Sequence, residues 1–198
     1  MAGGSASTLL MPTICRDHPS WFITSVTHDR LLVFRTDSLK QIVSAALDEA
    51  RHSGCFAIFA YVIMPDHLHI ITDGARKPSD TLRFLNGISS RRVIGYLKQG
   101  LYTTSLAKLR DAPKGRRHVY SLWDGHSQAL PIYSERFLLQ RAHYLHQNPV
   151  RAGLVELAED YRWSSARCWK RWPREDEPLL PDLDKMVWRK PGYEPGEA

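Results

Sequence analysis

Cysteine is scarce in this sequence and scattered: Cys15, Cys55 and Cys168 are odd in number, far apart, and none sits in a CxxC or Cys/His cluster. That excludes a disulfide framework and a thiolate zinc site, and leaves free thiols. No apolar run approaches the roughly 20 residues that cross a bilayer, so no membrane association is expected. Residues 1–13 lack the basic start and apolar stretch of a secretory signal, and their Gly, Ser and Ala point to a flexible leader and a cytoplasmic address. Internal repeats are absent. From Pro173 the composition turns to proline and acidic residues. The expected organisation is therefore a leader (1–13), one domain (14–172) and an extended C-terminal tail (173–198).

What is present is enough for a core: 198 residues, of which 43% are hydrophobic. The net charge of +6 favours a polyanionic partner, because neutralising phosphates releases counterions. Charge alone does not establish one, since many basic proteins bind no nucleic acid.

Trp21 to Thr27, rich in β-branched and aromatic residues, predicts a strand. Leu39, Ile42, Val43, Ala46, Leu47 and Ala50 repeat at helical spacing behind an S-x-x-Q capping box at Ser38 and Gln41. Phe56 to Val62 suits a central strand, and after the Met64-Pro65-Asp66 turn Leu68 to Thr72 resumes as its hairpin partner, with His67 and His69 at its start. A helix spans about Ser79 to Gln99. Lys108 to His118 is a basic loop, Val119 to Trp123 and Gln128 to Tyr133 are expected strands, and Ser134 to Asn148 is a helix stopped by Pro149. This order predicts an α+β fold, a ferredoxin-like antiparallel sheet with helices packed on one face.

His67 and His69, two apart on a strand, point to the same face and suit joint binding of one metal ion. The spacing equally suits two unrelated histidines. Tyr144 and Asn148, four apart, share a helix stripe with Phe137 and Arg141, beside the apolar stripe of Leu138, Ala142 and Leu145. Spacing alone favours a half-buried packing residue for Tyr144 and a C-cap for Asn148.

Tyr61 to Leu68, YVIMPDHL, followed by His69, resembles the histidine-hydrophobic-histidine (HUH) signature of single-tyrosine transposases. Tyr144 to Val155, YLHQNPVRAGLV, resembles their tyrosine-helix signature, and Asp160 to Ser165, DYRWSS, the motif that comes after it. The likeness is greatest to the REP-associated tyrosine transposases, domesticated bacterial relatives of insertion-sequence transposases. The resemblance implies that His67 and His69 are metal ligands, Asn148 the third ligand and Tyr144 the nucleophile. It also implies Mg2+ or Mn2+ as cofactor, and cutting of single-stranded DNA beside a REP-like hairpin through a 5′-phosphotyrosine that frees a 3′-hydroxyl. A nucleoid-associated monomer or homodimer is expected.

These residue types suit that chemistry. An anionic phosphodiester repels nucleophiles unless a cation polarises it. A phenol of pKa about 10 is ionised in only about one molecule in a thousand near neutral pH, so it needs help. Two departures from the family pattern stand out: Asp66 occupies a position where asparagine is common, and Leu122-Trp123-Asp124 replaces Leu-Trp-Gln. Asp66 suits a simple Pro-Asp turn, or a carboxylate that tunes the site.

Arg83, Arg91, Arg92 and Lys98, the loop residues Lys108, Arg110, Lys114, Arg116 and Arg117, and Arg141 are candidate DNA contacts. Trp163 and Trp169 suit either base stacking or the core. Two other readings compete: a hairpin-binding module that does not cut, and an unrelated metal-dependent hydrolase drawing on Asp124 and His126.

Overall fold

The computed structural model describes residues 19–110, 119–125 and 127–186. The leader, the loop residues Lys114, Arg116 and Arg117, and His126 lie outside the described residues. The elements run β1 (Ser20–Val26), α1 (Asp37–Gly54), β2 (Ile58–Ile63), β3 (His67–Thr72), α2 (Pro78–Gln99), α3 (Thr103–Lys108), β4 (Gln128–Ile132), α4 (Glu135–His146), α5 (Asn148–Arg151) and α6 (Ala166–Trp169). The strands form one antiparallel sheet in the order β2-β3-β1-β4. With α1 and α2 as crossovers this is the ferredoxin-like α+β arrangement expected from the sequence.

Strand alternation separates two faces. On β1, Ser25 donates to Asn86 of α2 at 2.9 Å, whereas its neighbour Thr24 meets His69 at 2.8 Å. The α2 helix, with α1 packed beside it, therefore covers the face opposite the histidines. The α4 helix lies outside the ferredoxin-like core and covers the histidine face, where Tyr144 meets Phe22 of β1 with ring centroids 6.1 Å apart. The helices are thus divided between the faces rather than confined to one.

Local chemistry explains the smaller differences. The α1 helix is capped by Thr36, whose hydroxyl accepts from Leu39 N at 3.4 Å, so the expected cap at Ser38 lies inside the helix. The expected strand at Val119–Trp123 reduces to isolated bridges, Thr27 to Trp123 and Arg110 to Tyr120. Trp123 turns inward there, its indole N–H donating to Ser89 Oγ at 2.9 Å. Pro149 does not end helical structure. It sits in the first turn of α5, where its missing N–H removes no hydrogen bond, and Gly153 at φ +67 lies just past that helix.

The segment expected as an extended tail is packed in its described part, 173–186, so the domain runs on through Met186. Leu179 and Met186 are buried. Tyr61 donates its phenol to Leu179 O at 3.0 Å, Ile58 N donates to the Asp182 carboxylate at 2.9 Å, and Asp182 N donates to Ile58 O at 2.7 Å. Further along β2, Ile63 N donates to Trp163 O at 2.9 Å and Ser165 N to Tyr61 O at 3.0 Å. The DYRWSS motif and the tail together cover the outer edge of β2, which would otherwise expose unpaired backbone groups.

Asp182 also pairs with Arg51 at 2.9 Å. Asp182→Ala strips an acceptor from both Ile58 N and a mostly buried guanidinium, and is expected to cost about 2 kcal/mol. A thermal melt should show a fall of about 4–8 °C. An unchanged melting temperature would mean that the Asp182 side-chain contacts contribute nothing to the fold.

Candidate active site

The β1–β3 register sets Thr24 opposite His69 and Val26 opposite His67, and the two-residue period brings both imidazoles to the α4 side of the sheet, ring centroids 4.8 Å apart. Each Nδ1 is engaged. That of His67 donates to Asp66 Oδ1 at 2.6 Å, since an ionised carboxylate can only accept, and that of His69 lies 2.8 Å from Thr24 Oγ1. The Nε2 atoms are therefore the ligand-capable nitrogens on both rings. His69 is 7% exposed. Burial first, then the neighbouring His67 and Arg151, push its pKa down to about 3, so it is neutral at physiological pH, as a ligand must be.

Asp66 is more than a turn residue. Its second oxygen takes Arg30 Nη1 at 3.2 Å, so the carboxylate links His67 to a cation. The turn that carries Arg30 has positive φ at Asp29 and Arg30, 51° each. It is pinned by Thr27, whose N and Oγ1 both donate to Asp66 O at 2.9 Å.

Tyr144 is 37% exposed, with its ring edge-on to His69 at 5.8 Å between centroids. Ser134 caps the start of α4, accepting from Phe137 N at 3.3 Å. Near the other end, His146 Nε2 lies 2.9 Å from Ser165 Oγ, which accepts from Tyr61 N at 3.0 Å. The third motif thereby seats the tyrosine helix on β2.

Asn148 begins α5 rather than capping α4 as its terminal residue. Its amide nitrogen nonetheless donates to Tyr144 O at 2.9 Å and Leu145 O at 3.2 Å, which leaves Oδ1 as its ligand-capable atom. As donor types, two imidazoles and one amide oxygen suit a divalent ion that keeps positions open for phosphate oxygens. Among the described residues, His, Cys, Asp and Glu nowhere form a group of three that could hold a metal alone.

Sequence reasoning assigns no role to Arg151. Its guanidinium lies 4.4 Å from the Tyr144 ring centroid and donates to Tyr144 O at 2.6 Å. The seven-residue spacing from Tyr144 is the available signal, but it acts only because the chain turns from α4 into α5.

A cleft of about 620 Å³ opens beside Tyr144 and His69, walled by Phe22 and Thr24 of β1, Gln128, Ala129 and Leu130 of β4, and Arg141 of α4. Among the described residues, Arg141 is thus the candidate DNA contact that the structure brings to the site. Arg83, Arg91, Arg92 and Lys98 lie on α2, on the opposite face, with Arg92 paired to Glu49 at 2.8 Å. Lys108 and Arg110 are exposed near the end of α3. Trp163 is buried in the core and Trp169 packs against it, their indoles donating to Asp37 Oδ1 and Phe59 O, each at 2.9 Å.

No family model matches the chain. A curated protein of Haemophilus influenzae, named as a REP-associated tyrosine transposase, is 28% identical over 148 residues, which are 73% of this chain and 78% of that protein. A solved structure of a REP-associated tyrosine transposase bound to a REP hairpin aligns with a TM-score of 0.57 at 18% identity, covering 83% of this chain and 87% of that one. The first bears out the family resemblance carried by the three motifs, and the second bears out the fold. No helix among the described residues is long and apolar enough to cross a membrane.

Proposed function

We propose that this chain, a relative of the REP-associated tyrosine transposases, is a metal-dependent DNA endonuclease and strand transferase that cuts single-stranded DNA beside a hairpin. The observation that carries this reading is the placement of Tyr144 against His69, rings 5.8 Å apart, on the face where His67 and His69 hold their Nε2 atoms in reserve. Within this chain Tyr144 lies beside the chain's own His69, an arrangement open to a monomer or to a homodimer.

In the proposed step Tyr144 Oη loses its proton and attacks the scissile phosphorus. A P–O bond to tyrosine forms, the P–O3′ bond breaks, and the departing oxygen takes a proton to become a 3′-hydroxyl. Attack by a 3′-hydroxyl reverses the balance and joins strands, so no external energy is required. Mg2+ or Mn2+ held by His67, His69 and Asn148 would polarise the phosphate and neutralise its charge. Asp66 and Thr24 hold the two imidazoles in orientation. Arg151 and the Phe22 edge hold the tyrosine ring.

The test is to incubate the protein with Mn2+ and a hairpin oligonucleotide carrying single-stranded flanks. A protein–DNA adduct that survives denaturation, and does not form when chelator is present from the start, is expected. Hairpin binding without an adduct, across a library of flanks, would leave the alternative of a binding module. Arg151→Ala should slow adduct formation about tenfold, the order of a partly desolvated cation–π contact, without weakening hairpin affinity. Equal falls in rate and affinity would make Arg151 a DNA contact instead of a positioning residue.

A further inference from the structure

The cleft beside Tyr144 is furnished in a way that cutting alone does not require. Arg141 stands nearly one turn before Tyr144 on α4. Its guanidinium carbon lies 4.7 Å from the Phe137 ring centroid and 5.6 Å from that of Phe22, so two aromatic rings fix the fork in place. Its Nε is buried and has no hydrogen-bond partner. Among the other guanidinium groups, Arg51 has Asp48 and Asp182, Arg92 has Glu49 and Arg167 has Glu177, while Arg151 donates to Tyr144 O. A buried N–H left without an acceptor is costly, and an immobilised cation beside a nucleophile is a prepared anion site.

The rest of the cleft suits the sugar and base attached to such a phosphate. The β1–β4 register places Leu130 beside Phe22 and Gln128 beside Thr24 on one face. Leu130 is 40% exposed, an apolar surface on the cleft wall, and Gln128 offers an amide that can both donate and accept. The volume of about 620 Å³ exceeds what a phosphate oxygen alone would fill.

We propose that this cleft is a nucleotide subsite for the substrate strand. The terminal nitrogens of the Arg141 guanidinium donate to an oxygen of a phosphate adjacent to the scissile one, and the attached base lies on Leu130 with Gln128 at its edge. The inference rests on the cutting reading above and assigns the direction in which the strand leaves the tyrosine: along α4 and over the β4 edge.

Single methylphosphonates, which are neutral, are introduced one at a time at the phosphates flanking the cut. Adduct formation and equilibrium binding of the uncut strand are measured for wild type, Arg141→Gln and Arg141→Lys. Neutralising one flanking phosphate should slow wild-type adduct formation and weaken binding about tenfold. Arg141→Gln should show a similar loss on the natural strand and no further loss when that phosphate is neutral. Arg141→Lys, which keeps the charge but not the fork, should fall between. Losses that multiply at every position, or an Arg141→Gln protein that melts as wild type and binds and cuts as wild type, would overturn the subsite. If wild type forms no adduct at all, the cutting reading fails, and the same coupling read in binding still decides the subsite.

Discussion

Tyr144→Phe is expected to abolish the denaturation-resistant adduct while hairpin binding stays within about twofold of wild type. The substitution removes one oxygen and keeps the ring. Every contact described for Tyr144 uses the ring or the backbone: the edges on His69 and Phe22, the Arg151 guanidinium over its face, and the carbonyl that Asn148 and Arg151 share. The fold should therefore be indifferent to the change, with a melting temperature within about 2 °C of wild type. The adduct depends on that oxygen entirely, because without Oη there is no atom to bond phosphorus, so the expected loss is complete rather than partial. Labelled DNA on a denaturing gel measures it. An adduct that persists in Tyr144→Phe would place the nucleophile elsewhere, with Tyr133, exposed just beyond β4, the first to examine.

The roles read for His67, His69 and Tyr144 come from the motif resemblance, since spacing alone leaves each open. That the two histidines share a face is legible because it depends on the two-residue period of β3 alone. The ferredoxin-like order is legible for the same reason, since the strands and the two crossover helices each carry their own hydrophobic pattern. What cannot be read depends on contacts between elements. Arg151 reaches Tyr144 only through the break between α4 and α5. The division of helices between the two faces is set by α4 packing across the sheet, which no local pattern announces.

In two segments composition hides the partners. The acidic, proline-rich stretch after Pro173 reads as solvated, yet Asp182 and Leu179 are tied to β2 and to Tyr61. The turn chemistry of Pro65-Asp66 is real, but it conceals a carboxylate that bonds His67. The DYRWSS motif, telling in the sequence for its family likeness, supplies structure: Trp163 fills the core, and Ser165 joins β2 to His146 of the tyrosine helix.

The metal-site prediction draws on Asp66. His67→Ala and His69→Ala each remove one of the two proposed imidazole ligands and should weaken Mn2+ binding by at least about 100-fold, with adduct formation falling in step. Asp66→Asn is the more discriminating change. Its amide oxygen can still accept from His67 Nδ1, so the ring keeps its orientation, but the negative charge that raises the basicity of Nε2 is gone. The expected weakening is about tenfold, within the range of an outer-shell partner. Asp66→Ala loses orientation as well, and should weaken binding further while leaving Arg30 without its carboxylate. Mn2+ affinity of the free protein, monitored by the spin signal of unbound ion, separates these cases without reference to cutting, and hairpin affinity in the absence of metal should not change in any of them. If His67→Ala binds Mn2+ as wild type does, or loses hairpin binding and cutting equally, the imidazole is holding the hairpin between β2 and β3 rather than a metal ion.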